Sequence, residues 1–147
     1  MSQSTINREL FDVLSLVNRK LRAYFDAEVR ERGLTLSRVR TLAALARRDG
    51  LNQRELAEEL DIETPTIVRL IDGMEKQGFV ERRVQQADRR AKQIHMTARG
   101  KAVADEIEQL ARDIREKLLD GVPASDKTVA IQLLRIMADN LQRLGKE

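Results

Sequence analysis

Short polar side chains and arginines are concentrated in two nearby stretches of the chain, ETPTIVRLIDG from Glu63 and QQADRRA from Gln85. In the first stretch, Thr66 and Arg69 lie opposite a set of apolar residues and form a thin face that can donate hydrogen bonds. Guanidinium groups pair well with phosphates and with guanine edges. Neither stretch supplies the nucleophile, base or phosphate-binding loop that catalysis requires. The pattern therefore favours recognition of a polyanion, and no enzyme activity is expected.

Positive charge is concentrated in and around the second stretch. Residues 76–101 contain eight Lys or Arg against two acids, a net charge of +6, whereas residues 51–75 are mainly acidic. The eight basic residues are Lys76, Arg82, Arg83, Arg89, Arg90, Lys92, Arg99 and Lys101. The whole chain carries only +3, which by itself is a weak indication of nucleic acid. The local excess predicts contact with phosphates.

Several classes of protein are excluded by what the 147-residue sequence lacks. It contains no cysteine, so disulfides, zinc fingers, thiolate nucleophiles and thiol-based redox sensing are excluded. The single histidine, His95, has no second type of ligand near it, so we interpret it as a surface or half-buried strand residue and expect no metal or cofactor. No apolar run reaches the length of a membrane span and the start has no signal core, which predicts a soluble cytoplasmic protein.

The elements that must position these side chains are mostly helices. Apolar residues at steps of three and four predict helices over about 6–32, 37–48, 53–60, 64–77, 97–119 and 125–144. Asn52 and Glu55 are spaced for a capping box on the third of these helices. Thr64 and Ser125 are the predicted caps of the fourth and sixth, and Pro65 occupies the first turn of the fourth, where its missing N–H costs nothing.

The residues between Val80 and Met96 alternate between apolar and polar, which predicts a two-stranded hairpin. Its tip, residues 85–91, is polar and basic. The first and last helices carry more apolar surface than one small domain can cover, and two copies that pack these helices together would cover it. Tyr24 and Phe25 belong to this surface, as core or dimer-interface residues. A homodimer is therefore expected.

Residues 53–74 match a helix-turn-helix. Ala57 is small where the two helices would cross, and Leu56, Leu60, Ile67 and Leu70 fall where the helix pair must bury side chains. Asp61 occupies the turn, where glycine is usual, and aspartate tolerates the left-handed conformation better than most residues. In such motifs the second helix enters the major groove of DNA.

The run LDIETPTIVRLIDGMEKQGFVERRVQQADRRAKQIHMTARG, residues 60–100, resembles the core of the MarR family of bacterial winged-helix transcription regulators. The SlyA-type branch is the most similar, through the helix IETPTIVR and the wing DRRAK. The resemblance extends over nearly the whole chain. It implies one mainly α domain, with a winged helix-turn-helix lobe at 35–100, a two-stranded β-wing, and long N- and C-terminal dimerisation helices within 1–34 and 101–147.

The resemblance also implies a homodimer on a pseudo-palindromic DNA operator, with the recognition helix in the major groove and the wing in the minor groove. It matches Thr64, Pro65, Thr66 and Arg69 to DNA-facing helix positions. It matches Asp88, Arg89 and Arg90 to the wing motif, and which arginine enters the minor groove stays open.

Many members of the family release DNA when a small aromatic anion, such as an aromatic carboxylate, binds between the dimerisation helices and the DNA-binding lobe, and the resemblance implies such a crevice in this chain. Arg22, Thr35, Arg38 and Arg69 lie in segments that would line that crevice. Two alternative functions fit the sequence less well. A helical protein–protein adaptor should display apolar anchors where this chain has arginines, and a metal-responsive regulator is disfavoured by the absent cysteines and single histidine.

Overall fold

The computed structural model describes residues 1–85 and 87–146, with the side chains of 88–91 excepted. The elements in chain order are α1 (Gln3–Arg30), α2 (Leu36–Arg47), β1 (Leu51–Asn52), α3 (Gln53–Leu60), α4 (Thr64–Lys76), β2 (Val80–Gln85), β3 (Asp88–Met96), α5 (Ala98–Leu118) and α6 (Ala124–Leu144). Each predicted helix is present and the mainly helical fold is confirmed. Within the described ranges, no helix combines the length and the apolar character needed to cross a membrane.

The chain divides into two compact units, the first being Met1–Ala111 and the second beginning at Arg112, so that α5 runs across the boundary. The core of the first unit is built from α2, α3, α4 and the sheet, with Leu42, Leu56, Ile67, Ile71 and Ile94 almost completely buried. The second unit contains the end of α5 and all of α6, and no described residue of α6 is buried.

The helix-turn-helix of α3 and α4 follows the sequence pattern closely. Asn52 and Glu55 form the predicted capping box: the Glu55 amide donates to the Asn52 side chain at 2.8 Å, and the Asn52 amide donates to the Glu55 carboxylate at 3.2 Å. Asp61 ends α3 in the left-handed conformation at φ 53° and ψ 49°, as the turn requires. Both predictions are confirmed.

Two of the predicted caps are wrong by one or two residues. The carbonyl of Glu63 accepts the first helical bond of α4, from the Ile67 amide at 3.1 Å, so Glu63 is the N-cap and Thr64 is the first helical residue. Similarly, Pro123 accepts from the Lys127 amide at 3.2 Å and replaces Ser125 as the N-cap of α6. In both cases the extended residue that precedes the helix marks its start, and no side chain caps it.

The predicted hairpin is present and belongs to a sheet of three antiparallel strands in the order β1-β3-β2. The sequence indicated two strands, because β1 is only two residues long and shows no periodicity. Leu51 pairs with Ile94 and so joins the start of α3 to the central strand. The polar tip is shorter than predicted: β3 already begins at Asp88, and the register with β2 shifts after Val84. Polar side chains do not prevent strand pairing, because the pairing satisfies the backbone groups.

Candidate nucleic-acid interface

The exposed side of α4 is the surface that the sequence singled out. Ile67, Ile71 and Met74 are completely buried and fix one side of the helix against the core. All four predicted contact residues of the helix are exposed, and Arg69 lies on the side opposite this buried face. These residues are Thr64, Pro65, Thr66 and Arg69. Because three of them are short, α4 can approach another surface closely and Arg69 projects furthest from it.

Arg69 is available for binding. An ordinary surface arginine at this position could have paired with Asp72 on the same helix. Asp72 instead lies 2.8 Å from Arg82, and Arg69 forms no hydrogen bond or ion pair with any described side chain. Within the described part of the chain, no acidic or carbonyl group therefore occupies the donors of its guanidinium group.

Arg82, which the sequence counted among the hairpin's phosphate-binding charges, occupies a different environment. Its side chain is only 15% exposed and lies against α4, where Nη2 is 2.8 Å from Asp72 Oδ1 and Nη1 is 3.1 Å from Glu75 Oε1. Nε and Nη2 also donate to Gln53 Oε1 at 3.2 and 3.0 Å. The charge of Arg82 is thus neutralised within the protein.

Two more of the eight basic residues have partners within the protein. Arg83 forms an ion pair with Glu81 on the same strand. Arg99 lies over the ring of Phe79, 5.4 Å from its centroid, in a cation–π contact. Lys76, Lys92 and Lys101 are exposed. Glu81 is already counted in the net charge of +6 and the Phe79 ring is neutral. Among the described side chains it is therefore the pairing of Arg82 with Asp72 and Glu75, which lie outside the segment, that lowers the positive charge offered to solvent.

The predicted wing residues Asp88, Arg89 and Arg90 are the first three residues of β3, the returning strand of the hairpin. Their side chains fall outside the described part of the structure. Their backbone places them at the end of the hairpin far from its root, where Val80 pairs with Met96.

A second arginine flanks α4 on the side away from Arg82. Arg38, at the start of α2, donates to the side chain of Gln77, which in turn donates to the carbonyl of Gly33 at 3.1 Å. The guanidinium group also lies against Gly73, where an added Cβ would come within 2.7 Å of Nη2. The absence of a side chain at Gly73 lets Arg38 reach the helix, so α4 is held from both flanks.

The residues predicted for a ligand crevice are only partly brought together. Thr35 caps α2 and accepts from the Arg38 amide at 3.3 Å, whereas Arg22 is exposed in the middle of α1. A separate cavity of about 300 Å³ lies between α2 and α5. Its lining is mostly apolar, and it includes neither Arg22, Thr35 nor Arg38.

His95 is a half-buried residue of β3, as the sequence indicated. Its Nδ1 lies 3.0 Å from Asp49 Oδ2, and its Nε2 lies 3.2 Å from Gln93 Oε1. The other oxygen of Asp49 accepts from the Met96 amide at 3.0 Å. Asp49 therefore ties the α2–β1 turn to the end of β3. Among the described residues, no group of three or more His, Asp or Glu side chains is arranged to hold a metal ion.

Comparison with known proteins agrees with this arrangement. The model of the MarR family matches residues 32–91, which contain α2, α3, α4 and most of the hairpin. The transcriptional regulator PA3341 is 36% identical over 91% of this chain and 98% of its own, with a TM-score of 0.75.

Two further solved structures share the fold. A MarR-family regulator from Silicibacter pomeroyi is 25% identical over 87% of this chain and 86% of its own, with a TM-score of 0.69. FabT from Streptococcus pneumoniae, solved in complex with DNA, is 17% identical over 94% of this chain and 99% of its own, with a TM-score of 0.85. A regulator 36% identical is matched over almost its whole length, and the MarR-family model matches the helix-turn-helix and most of the hairpin; the chain therefore belongs to the MarR family of transcription regulators.

Proposed function

We propose that the protein is a homodimeric transcription regulator that binds a pseudo-palindromic DNA operator in the bacterial cytoplasm. The recognition helix α4 of each copy enters a major groove, and each hairpin wing contacts the flanking minor groove. The observation that carries this proposal is the exposed side of α4, where Arg69, which pairs with no described side chain, stands among short side chains. FabT, which shares the fold, was solved in complex with DNA, and this supports DNA as the partner.

The contacts follow from the chemistry of the exposed groups. Arg69 suits bidentate donation to a guanine edge or to a phosphate. Thr64, Pro65 and Thr66 lie at the N-terminus of α4, where the backbone also favours a phosphate. For the wing, we propose that one of Arg89 and Arg90 enters the minor groove while Asp88 holds the other.

A homodimer would match the two-fold symmetry of a pseudo-palindromic operator. The outward side of α1 presents a stripe of large apolar residues that a single chain leaves exposed. The stripe comprises Ile6, Leu10, Val13, Val17, Leu21 and Tyr24, each between 37% and 53% exposed. A continuous apolar surface of this kind marks an interaction site. Phe25, next to the stripe, packs instead against the core.

The first test is a salt titration of binding to promoter fragments, including the DNA beside the protein's own gene. If a dimer makes about 6–10 phosphate contacts, its affinity should fall roughly 10³–10⁵-fold between about 50 and 200 mM salt. Arg69→Ala should lose about 1–3 kcal/mol for each half-site, because a base or phosphate contact is removed from each recognition helix.

Arg19→Ala is the matched control, since it removes an exposed arginine from the side of α1 opposite the apolar stripe. It should bind like the parent protein. Equal affinity for every fragment at all salt concentrations, or an Arg69→Ala variant that binds like the parent, would contradict the proposal. That outcome would favour the alternative of a protein–protein adaptor.

We further propose that the chain is of the SlyA type and that a small aromatic carboxylate weakens its hold on DNA by binding near Arg22, Thr35 and Arg38. The guanidinium groups would pair with the carboxylate. Titration calorimetry with benzoate and its hydroxylated derivatives should then show saturable binding that is reduced in Arg38→Ala. No heat from any of these anions would rule the effector site out while leaving the DNA proposal intact.

A further inference from the structure

Arg82 bonds to one flank of α4 at three positions between Val68 and Glu75. Its guanidinium group contacts the carbonyl of Val68 at 3.3 Å and the carboxylates of Asp72 and Glu75 at 2.8 and 3.1 Å. These three acceptors are four and three residues apart, so they lie above one another on successive turns. One guanidinium group therefore spans two turns of the recognition helix.

The same group also reaches the first residue of α3. Gln53 Oε1 accepts from both Nε and Nη2 of Arg82. In addition, the Arg82 backbone amide donates to Glu75 Oε2 at 3.2 Å, which joins the strand itself to the helix. Arg82 thereby connects β2, α3 and α4, which are the three elements of a winged helix that must meet DNA together.

Charge and burial argue against a direct role for Arg82 on DNA. Two carboxylates face its single positive charge, and the side chain is 15% exposed, against 56% for the neighbouring Arg83. A lysine could not reproduce these contacts, because it lacks the planar arrangement of donors that serves several acceptors at once.

We propose that Arg82 is a positioning residue. It fixes the rotation of α4 about the helix axis and the angle between α4 and the wing, so that α4 and the wing engage the same operator. This inference rests on the proposed function of α4. Apolar packing of Ile67, Ile71 and Met74 defines only the buried side of the helix. The bonds from Arg82 define one flank, and the Arg38–Gln77 contact defines the other.

The consequence for DNA binding is specific. Selective binding needs base-contacting groups in the correct geometry, whereas non-selective binding depends on phosphate contacts and on counterion release. Without Arg82 the affinity for the operator should fall relative to the affinity for bulk DNA, and the slope of affinity against salt concentration should stay the same. A residue that contacted phosphate would have the opposite signature, since its loss lowers the salt slope by about 1 per contact.

The experiment compares Arg82→Ala, Arg82→Lys and the control Arg83→Ala, an adjacent arginine on the same strand. Dissociation constants for a selected operator and for bulk DNA are measured across a salt series. Arg82→Ala should lower the ratio of selective to non-selective affinity about tenfold or more, comparable to the loss of one base contact, with an unchanged slope. Arg82→Lys should fail to rescue the ratio, and Arg83→Ala should preserve it.

Removing Arg82 also leaves Asp72 and Glu75 unneutralised beside the DNA. The double variant Arg82→Ala/Asp72→Asn restores the net charge of the cluster without restoring its geometry, and its ratio should stay low. If the double variant regains the parent ratio, or if Arg82→Ala lowers the slope and keeps the ratio, the positioning role is refuted.

Amide exchange in the free protein gives a readout that does not need DNA. Exchange should accelerate within α4 in Arg82→Ala and stay as in the parent in Arg83→Ala. If Arg82→Ala does not fold, Gln53→Ala removes two of the bonds at constant charge and should give a smaller change of the same kind. Unchanged exchange in α4 would overturn the inference, whereas a parent protein without DNA selectivity would overturn only the proposed function.

Discussion

A glutamate in place of Val17 should separate two copies of the chain and weaken operator binding about 10²–10⁴-fold, the loss expected when two linked half-site contacts become independent. Val17 lies in the middle of the apolar stripe of α1 and is 52% exposed in the single chain. A carboxylate at this position would be buried without a partner in any interface that the stripe forms, which is costly. Sedimentation velocity should report a monomer, and DNA titrations at the same protein concentration should show the fall in affinity.

Ser15→Glu supplies the matched control. It adds the same charge to the same helix on the side opposite the stripe, because two residues correspond to about 200° of helical rotation. This variant should remain dimeric and should bind DNA as the parent does. If Val17→Glu also sediments as a dimer, α1 does not provide the interface and the proposed assembly is wrong.

Gly100→Ala should destabilise the protein by about 2–3 kcal/mol, within the range measured for overpacked interiors. Gly100 is buried at the start of α5, and an added Cβ would lie 1.9 Å from the carbonyl oxygen of Phe79. That oxygen accepts from the Thr97 amide at 3.1 Å, and the Thr97 hydroxyl donates to Gly78 at 2.6 Å. Since both sides of the contact are backbone, neither can move without breaking these bonds.

The expected cost exceeds the gain of about 1 kcal/mol that alanine would bring to an ordinary helical position. Thermal unfolding followed by circular dichroism should show a melting temperature lower by roughly 5–10 °C. Gly145→Ala is the control, because an added Cβ there meets no atom closer than 3.6 Å. A Gly100→Ala variant that melts at or above the temperature of the parent would contradict the predicted clash.

Local patterns predicted the parts of the interface that depend on neighbours in sequence. The capping box of Asn52, the left-handed turn at Asp61 and the exposed side of α4 each follow from residues within four positions of one another. Such features are determined by backbone geometry and helical periodicity. For this reason the helix-turn-helix could be identified, with helix ends displaced by three residues or fewer.

Features that depend on tertiary contacts were missed. The position of Arg82 in a basic segment predicts a phosphate-binding role. Its actual partners, Gln53 and Asp72, are 29 and 10 positions away in the chain. The strand β1 is too short for any periodicity, and the need for glycine at position 100 depends on the carbonyl of Phe79. Composition counts charges along a segment but does not indicate which of them meet in space.

The exposure of α6 makes the stability of this protein depend on its concentration if copies associate through this helix. A 21-residue helix without buried residues is marginal on its own in water. If association supplies the missing burial, the melting temperature rises with protein concentration. In dilute solution the uncovered C-terminal helix would then be the segment most open to proteolysis, and raising the protein concentration would protect it.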